Sequence, residues 1–434
     1  MTPHVRVRLR GRVTPPGDKS VGHRLALMGA VASGRTRVEG FPPGQDCRRS
    51  IALVQALGVD ATLEGTSLTI EGVGANGLKR SETDLDAGNS GTTARLLCGL
   101  LAPQPFASRL IGDESLSQRP FDRVVTPLEA MGAVFETTGG KLPVTIRGGQ
   151  DLHGIDYQLP VPSAQVKTAI LLAGLYASGT TRVRETLPSR NHTEIALRGF
   201  GVELQQEDGS VAVSGGSGLT AGHFRVPGDF SSAAFFIAAA ACMPGSDLVV
   251  ENVSVNPTRT GLLEVLADMG ASIEVEPDAP DRPDRPDTIV ADREPIGTIR
   301  VRGRTLHGTS VPPERLPNLI DEIPILAVAA TQAEGSTTVD GASELRVKES
   351  DRLAAIVSGL RALGANVDER ESGFTVHGGQ TLGPASLRSH GDHRMVMAWA
   401  IASLLAAGDC TIDHLDQVKI SYPGFWETLD RLVE

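Results

Sequence analysis

Six times along the chain, a polar opening marked by Gly or Asp runs directly into a small-residue apolar stretch that stops near a glycine or proline. The openings are PGDKSVGHR (16–24), AGNSGTTAR (87–95), PSAQVKTA (162–169), PGDFSSAA (227–234), LIDEIPIL (319–326) and HGDHRMVM (390–397). The stretches that follow, such as LALMGAVASG, ILLAGLYASG and AFFIAAAACMPG, are apolar on every side, which predicts helices buried all round. After each stop comes a strand-like run: TRVEG, RLIGD, TRVRE, DLVVEN, TTVDG or CTIDH. A helix start carries unpaired N–H groups and a partial positive charge, so it favours anions. Six such starts, several carrying Lys or Arg, predict a site for small, multiply charged molecules.

A second pattern interleaves with the first. Segments LVQALGV (53–59), LEAMGAV (128–134), LRGFGVE (197–203), LADMGAS (266–272) and LRALGAN (360–366) predict helix ends, each followed by paired strands such as DATLEGTSLTIEGV. Their glycines, at 58, 132, 201, 270 and 364, are spaced 69 to 94 residues apart. A near-fixed period points to one supersecondary unit repeated along the chain. The expected fold is therefore α/β, with six βαβαββ units, three in each of two domains. Only five second-helix signatures are present, and WETLDRLVE (426–434) falls inside the sixth unit. The strand-like VRVRLRGRV (5–13) is expected to supply the missing pairing, which would bring the two ends together. On this count, residues 1–17 with 228–434 form one domain and 18–227 the other. The crossings fall at PPGDKS and VPGDFS, and a cleft between the domains is the expected place for the active site. The Pro- and Asp-rich stretch 277–295 has no periodicity and is expected to be a surface loop.

Composition narrows the function. With 434 residues, two domains are the natural expectation. A net charge of −11 argues against a general nucleic-acid or anionic-membrane surface, so any anion site must concentrate basic side chains locally. The cysteines at 47, 98, 242 and 410 lie far apart, with no disulfide framework or metal-ligand spacing. His390 and His393 lack a third committed ligand, and their neighbourhood reads as a helix cap, so no metal is expected. The longest apolar run, Ala233 to Met243, is too short to span a bilayer, and no secretory signal opens the sequence; a cytoplasmic protein is expected. GVGANG (72–77) matches GxGxxG, but no helix follows it and no acidic residue stands at the right distance, so a dinucleotide site is rejected. At the first helix start, Lys19, Ser20 and Arg24 cluster beside Gly17, without the GxxxxG that a Walker loop needs before its lysine.

Together, PGDKSVGHR, GNSGTTAR, GDESLSQRPFDRV, PSAQVKTAILLAGL, VPGDFSSAAFF, LRVKESDRL and GDHRM closely resemble the 5-enolpyruvylshikimate-3-phosphate synthase family, in the same order and over nearly the whole chain. The resemblance implies a two-domain inside-out α/β barrel. It also implies transfer of the enolpyruvyl group of phosphoenolpyruvate to the 5-hydroxyl of shikimate 3-phosphate, with release of phosphate through a tetrahedral intermediate. That reaction belongs to aromatic amino acid biosynthesis and needs no metal or organic cofactor. The implied partners are these two small molecules, with neither nucleic acid nor membrane, and the expected state is a monomer.

By motif match, the resemblance assigns shikimate 3-phosphate to Lys19, Ser20, Arg24, Ser163, Ala164, Gln165, Ser189, Asp321, Glu344 and Lys348. It assigns phosphoenolpyruvate to Lys19, Asn89, Gly91, Arg119, Gln165, Arg352, Arg394 and Lys419. Lys19, Asp321 and Glu349 are the acid–base candidates, because protonating a methylene carbon and removing a hydroxyl proton are separate tasks. Arg suits both substrates because its fork holds a carboxylate or phosphate with two bonds.

Some positions depart from the family's commonest pattern. Ala164 stands where many members have serine, Glu344 where many have Asn and His192 where Tyr is frequent, while Lys419 sits one residue early. Gly91 matches the glycine whose bare backbone leaves room for the inhibitor glyphosate, and Leu96 replaces a proline of many sensitive members. Two rival readings are UDP-N-acetylglucosamine enolpyruvyl transferase and a non-catalytic anion-binding paralogue. The first would carry a cysteine where Glu114 stands; the second would have no need of Lys19, Asp321 and Glu349.

Overall fold

Each of the six buried-helix signatures becomes a helix, and five of the six are capped by the side chain that precedes them. The computed structural model describes residues 7–278 and 293–434. Helices run over Lys19–Val31, Gly91–Leu101, Ala164–Gly174, Phe230–Cys242, Ile323–Ala330 and His393–Leu405. Asp18, Ser90, Ser163, Asp229 and Asp392 each accept a bond from a backbone N–H of the first turn, which satisfies one of its orphan donors. The fifth helix has no side-chain cap; instead Pro324 in its first turn removes a donor that would otherwise lack a partner. The second pattern also ends helices as its glycines imply. Gly58, Gly132, Gly201, Gly270 and Gly364 all take left-handed φ values between +84° and +102°, which side chains with a Cβ rarely adopt.

The sheets are small and open. Five have four strands in one shared arrangement: a parallel strand, the strand that follows a buried helix, and then an antiparallel hairpin. Ser33–Glu39, for example, pairs in parallel with His223–Arg225 and antiparallel with Ser67–Val73, which pairs on with Asp60–Glu64. A sixth sheet has only two strands, Ser386–Leu387 and Thr411–Ile412. The fold is thus mixed α/β, and among the described residues no sheet closes on itself into the barrel that the resemblance implies.

The described chain forms two compact units. One comprises residues 7–16, 227–278 and 295–434, and the other comprises 17–226 with 293–294. Most of the expected surface loop at 277–295 lies outside the described residues. The first strand, Arg10–Val13, pairs in parallel with Asp247–Ser254 rather than completing the two-stranded sheet. The ends of the described chain do meet, through Arg8 N–H to the Glu434 carbonyl at 3.2 Å and Glu434 N–H to the Arg8 carbonyl at 2.9 Å. No helix among the described residues is long and apolar enough to cross a membrane.

In the 17–226 unit, Lys19–Val31 packs on Gly91–Leu101, which packs closely on Ala164–Gly174. The last contact depends on Gly99, where a Cβ would stand 2.1 Å from the Ala169 carbonyl oxygen. In the other unit the helices Phe230–Cys242, Ile323–Ala330 and His393–Leu405 pack on one another. There Gly359 admits the Trp399 ring, which a Cβ would meet at 2.3 Å.

Gly99→Ala forces two helix backbones apart, so overpacking of about 1–3 kcal/mol or more is expected. Thermal unfolding of the variant should show a melting temperature several degrees lower, and an unchanged value would remove this account of the contact.

Candidate active site

In the 17–226 unit, the helix starts bring most of the predicted residues onto one connected surface. Lys19 opens its helix and forms an ion pair with Asp46, from the first turn of Gln45–Ala56. One turn on, the Arg24 side chain is buried, and its guanidinium is held by neutral oxygens: Nε donates to Thr193 Oγ1 at 2.7 Å, Nη1 to the Ser20 carbonyl at 2.8 Å and Nη2 to Thr168 Oγ1 at 3.0 Å. Among the described residues no carboxylate lies at ion-pair distance from it. Burial lowers its pKa to about 10, so it keeps its charge at neutral pH. Ser163 caps the helix that begins at Ala164, and Ser189 Oγ is buried with no hydrogen-bond partner. A buried hydroxyl in that state is costly unless something supplies the missing bond.

Gln165 ties this helix to the next. Its Oε1 accepts from Arg95 Nη1 at 2.9 Å, and its Nε2 donates to Thr92 Oγ1 at 2.9 Å. Arg95 also donates to the Pro120 carbonyl at 3.1 Å and lies 5.1 Å over the Phe121 ring. Arg119 donates to Asn89 Oδ1 at 2.8 Å, and Asn89 in turn donates to Asp113 at 2.7 Å. Gly91 sits between the two arginines. A Cβ there would stand 2.9 Å from Arg95 Nη1 and 3.3 Å from Arg119 Nη1.

Behind Lys19 and Arg24, His23 is fully buried. Its Nδ1 lies 2.8 Å from Ser50 Oγ and 3.3 Å from Thr93 Oγ1, which joins three helices in one hydrogen-bonded chain. Burial, with the charges of Lys19 and Arg24, drives its pKa well below the usual histidine value, so the ring is neutral.

The other unit gathers the remaining candidates around Arg352. That guanidinium is buried and donates to Asp392 at 2.7 Å, to Glu349 at 2.6 Å and to Asp321 at 3.2 Å. Burial alone would weaken its charge, but Asp392, Glu349 and Asp321 outweigh burial and hold its pKa above the ordinary value. For Asp392, burial likewise opposes ionisation, and Arg352 reverses the balance, so its pKa is lowered. Asp321 also lies 3.8 Å from Arg394 and 3.7 Å from Arg259, which approaches Asp229 and Glu322. Asp321 and Glu349 keep some exposure, 14% and 23%, whereas Arg352 keeps 1%. Glu344 and Lys348 are half-buried on the segment that leads into this cluster. Lys419 is not part of it. It is 55% exposed and pairs with Asp416 at 2.6 Å.

Several residues of these networks escaped sequence reasoning. Arg95 had a usable signal: it stands four residues after Gly91 and therefore on the same helix face. Asp46, Thr168, Thr193, Arg259 and Glu322 had none, because their partners lie far away in sequence.

Fold and site define an α/β protein that keeps cations at the starts of buried helices and carboxylates beside a buried arginine, an arrangement suited to small anions and proton transfer. The family model for EPSP synthase (3-phosphoshikimate 1-carboxyvinyltransferase) matches residues 4–429. A 3-phosphoshikimate 1-carboxyvinyltransferase of Alkalilimnicola ehrlichii is 48% identical over 423 residues, covering 96% of this chain and 92% of its own. One from Bacillus subtilis is 46% identical over 426 residues, covering 98% and 97%. The solved EPSP synthase of Acinetobacter baumannii superposes with a TM-score of 0.85 at 42% identity, covering 99% of this chain and 97% of that one. The chain belongs to the EPSP synthase family.

The neutral state of His23 has a pH signature. The unfolded chain takes up a proton near pH 6.5 that the folded chain refuses, so stability falls as pH drops below that value. The slope from this one group reaches at most about 1.4 kcal/mol per pH unit. Denaturant unfolding at stepped pH should show a shallower acid loss in His23→Gln than in the parent, and parallel curves would show that His23 is not held neutral.

Proposed function

We propose that this chain transfers the enolpyruvyl group of phosphoenolpyruvate to the 5-hydroxyl of shikimate 3-phosphate and releases phosphate, in the biosynthesis of aromatic amino acids. The observation that carries this reading is the near full-length match to relatives named for that activity, on a chain that retains both candidate residue sets. Arg24, Ser163, Gln165 and Ser189 are read as the holders of shikimate 3-phosphate, with Ser20, the Ala164 backbone, Glu344 and Lys348. Support comes from a buried guanidinium bonded to hydroxyls and from a buried serine hydroxyl without a partner. Lys19, Asn89, Gly91, Arg119, Gln165, Arg352, Arg394 and Lys419 are read as the holders of phosphoenolpyruvate. For Lys419, its motif position is the support.

The chemistry asks for two proton movements. As the hydroxyl oxygen attacks C2 of phosphoenolpyruvate, its proton leaves to a base and a proton arrives at the methylene carbon, which gives the tetrahedral adduct. Loss of phosphate with removal of a methyl proton then restores the enol ether. Lys19, Asp321 and Glu349 are read as the groups that share these tasks. The partial exposure of both carboxylates, with one oxygen of each on Arg352, supports this role. The reading further treats the six sheets as copies of one unit and the protein as a cytoplasmic monomer.

The test is phosphate release from phosphoenolpyruvate with either shikimate 3-phosphate or UDP-N-acetylglucosamine as acceptor. Release with the shikimate acceptor alone is expected. Lys19→Met and Glu349→Gln should each lower kcat by roughly 10²–10⁴ while leaving the fold intact by circular dichroism. Silence of the folded parent with both acceptors would refute the reading.

Gly91→Ala should weaken glyphosate, because the new methyl presses on Arg95 and Arg119 and occupies the space before them. A methyl-sized misfit costs about 1–3 kcal/mol, so the inhibition constant should rise roughly 5- to 150-fold. An unchanged constant would show that the inhibitor does not approach Gly91.

A further inference from the structure

Beneath the Arg24 and Ser189 surface lies a buried triad with no part in the chemistry above. Lys167 Nζ is 2.7 Å from Glu185 Oε2 and 2.7 Å from Glu194 Oε1, with 1% of the lysine side chain exposed. Burying three charges for stability alone is a poor bargain, since well-packed apolar side chains often serve as well. Three observations tie the triad to the surface above it. The second oxygen of Glu185 accepts from Ser189 N–H at 3.3 Å, which fixes the backbone of the serine whose hydroxyl has no partner. Thr168 and Thr193, which grip the Arg24 guanidinium, directly follow Lys167 and directly precede Glu194. Glu194 is also the carboxylate whose field acts most strongly on Arg24, and its Oε2 is buried without a hydrogen-bond partner.

Glu194 is therefore within electrostatic reach of two cations and bonds to only one of them, Lys167. We propose that Lys167 is a positioning residue for the anion-holding face: by occupying Glu194 and Glu185 it keeps Arg24 free of an internal counter-ion and holds the Ser189 segment in place. Without the lysine, Arg24 is the other cation within the field of Glu194, and the Thr168–Thr193 contact joins the segments that carry the two groups. A carboxylate there competes with an incoming anion for the same donors. The other charges felt by Arg24 are Asp18, Glu294 and Arg190, and none of them bonds to it. This inference rests on the reading that Arg24 holds shikimate 3-phosphate.

The experiment compares Lys167→Met, Lys167→Met/Glu194→Gln and Arg24→Gln in the full chain, with KM measured separately for each substrate. In Lys167→Met, KM for shikimate 3-phosphate should rise about tenfold or more, as expected for loss of hydrogen bonds to a charged group. KM for phosphoenolpyruvate should stay as in the parent. The double variant should return KM toward the parent value, because the competing charge is gone and the new amide offers Glu185 a donor. A merely structural lysine would give no such rescue. If the single variant does not fold, the double variant carries the test alone, by its expected near-parental KM. An unchanged KM in Lys167→Met, or a double variant as impaired as the single, overturns the proposal while Arg24→Gln still raises KM. An unchanged KM in Arg24→Gln overturns the underlying reading, and this proposal with it.

Discussion

A guanidinium taken out of water must keep its charge, yet one meant for a ligand must not give all its donors to the protein. The candidate site depends on how that conflict is resolved, and the two units resolve it differently. Arg352 is surrounded by Asp392, Glu349 and Asp321, which hold it firmly charged. In return, it fixes the position of carboxylates that are partly open to solvent. Arg24 is held by two threonine hydroxyls and a carbonyl. Neutral oxygens orient a cation at a modest cost in desolvation but leave its field uncancelled, and the lowered pKa of Arg24 records that difference. One arrangement is suited to ordering bases, the other to receiving an anion.

Small residues decide where these charges can stand. Gly17 passes so close to Gly40 that a Cβ would lie 1.9 Å from its carbonyl oxygen, and this crossing delivers Asp18 and Lys19 to their helix start. Gly99 lets the Gly91–Leu101 and Ala164–Gly174 helices approach until Gln165 can bond both Arg95 and Thr92. An alanine in either place would change the spacing between groups that now stand within hydrogen-bond reach of one another. The close packing of protein interiors makes the effect stiff, since neighbouring backbones have little room to give.

Much of this was legible from local pattern. Helix starts were readable because the cap, the nearby cations and the all-round apolar run are adjacent in sequence; Asp18, Lys19 and Arg24 fall within about two turns. The glycines that end the second set of helices were readable for the same reason, because a left-handed residue is a local demand. The pairing of the first strand was not readable. Arg10–Val13 carries no mark of whether it joins Asp247–Ser254 or the short sheet of Thr411–Ile412, since a strand with alternating polarity fits either edge. The partners of the site residues were hidden for a related reason. Nothing near Lys19 announces Asp46, and nothing near Arg352 announces Asp392, 40 residues on.

The glycine at 91 and the arginine at 95 show how a motif can encode a relationship rather than two separate functions. Helical side chains lean toward the N-terminus, so a long residue one turn into a helix folds back over its first residue. Arg95 does so, and its Nη1 comes to the place where a Cβ on residue 91 would stand. The arginine can cover the helix start only because the first helical residue has no side chain. From that position it reaches Gln165 on the neighbouring helix and stacks over Phe121. A substitution at 91 therefore acts on more than the space above it. It displaces a cation, and with that cation the glutamine through which the Ala164–Gly174 helix start is linked to the Gly91–Leu101 start. The open space at 91 and the order of the cations around it are set by the same missing methyl group.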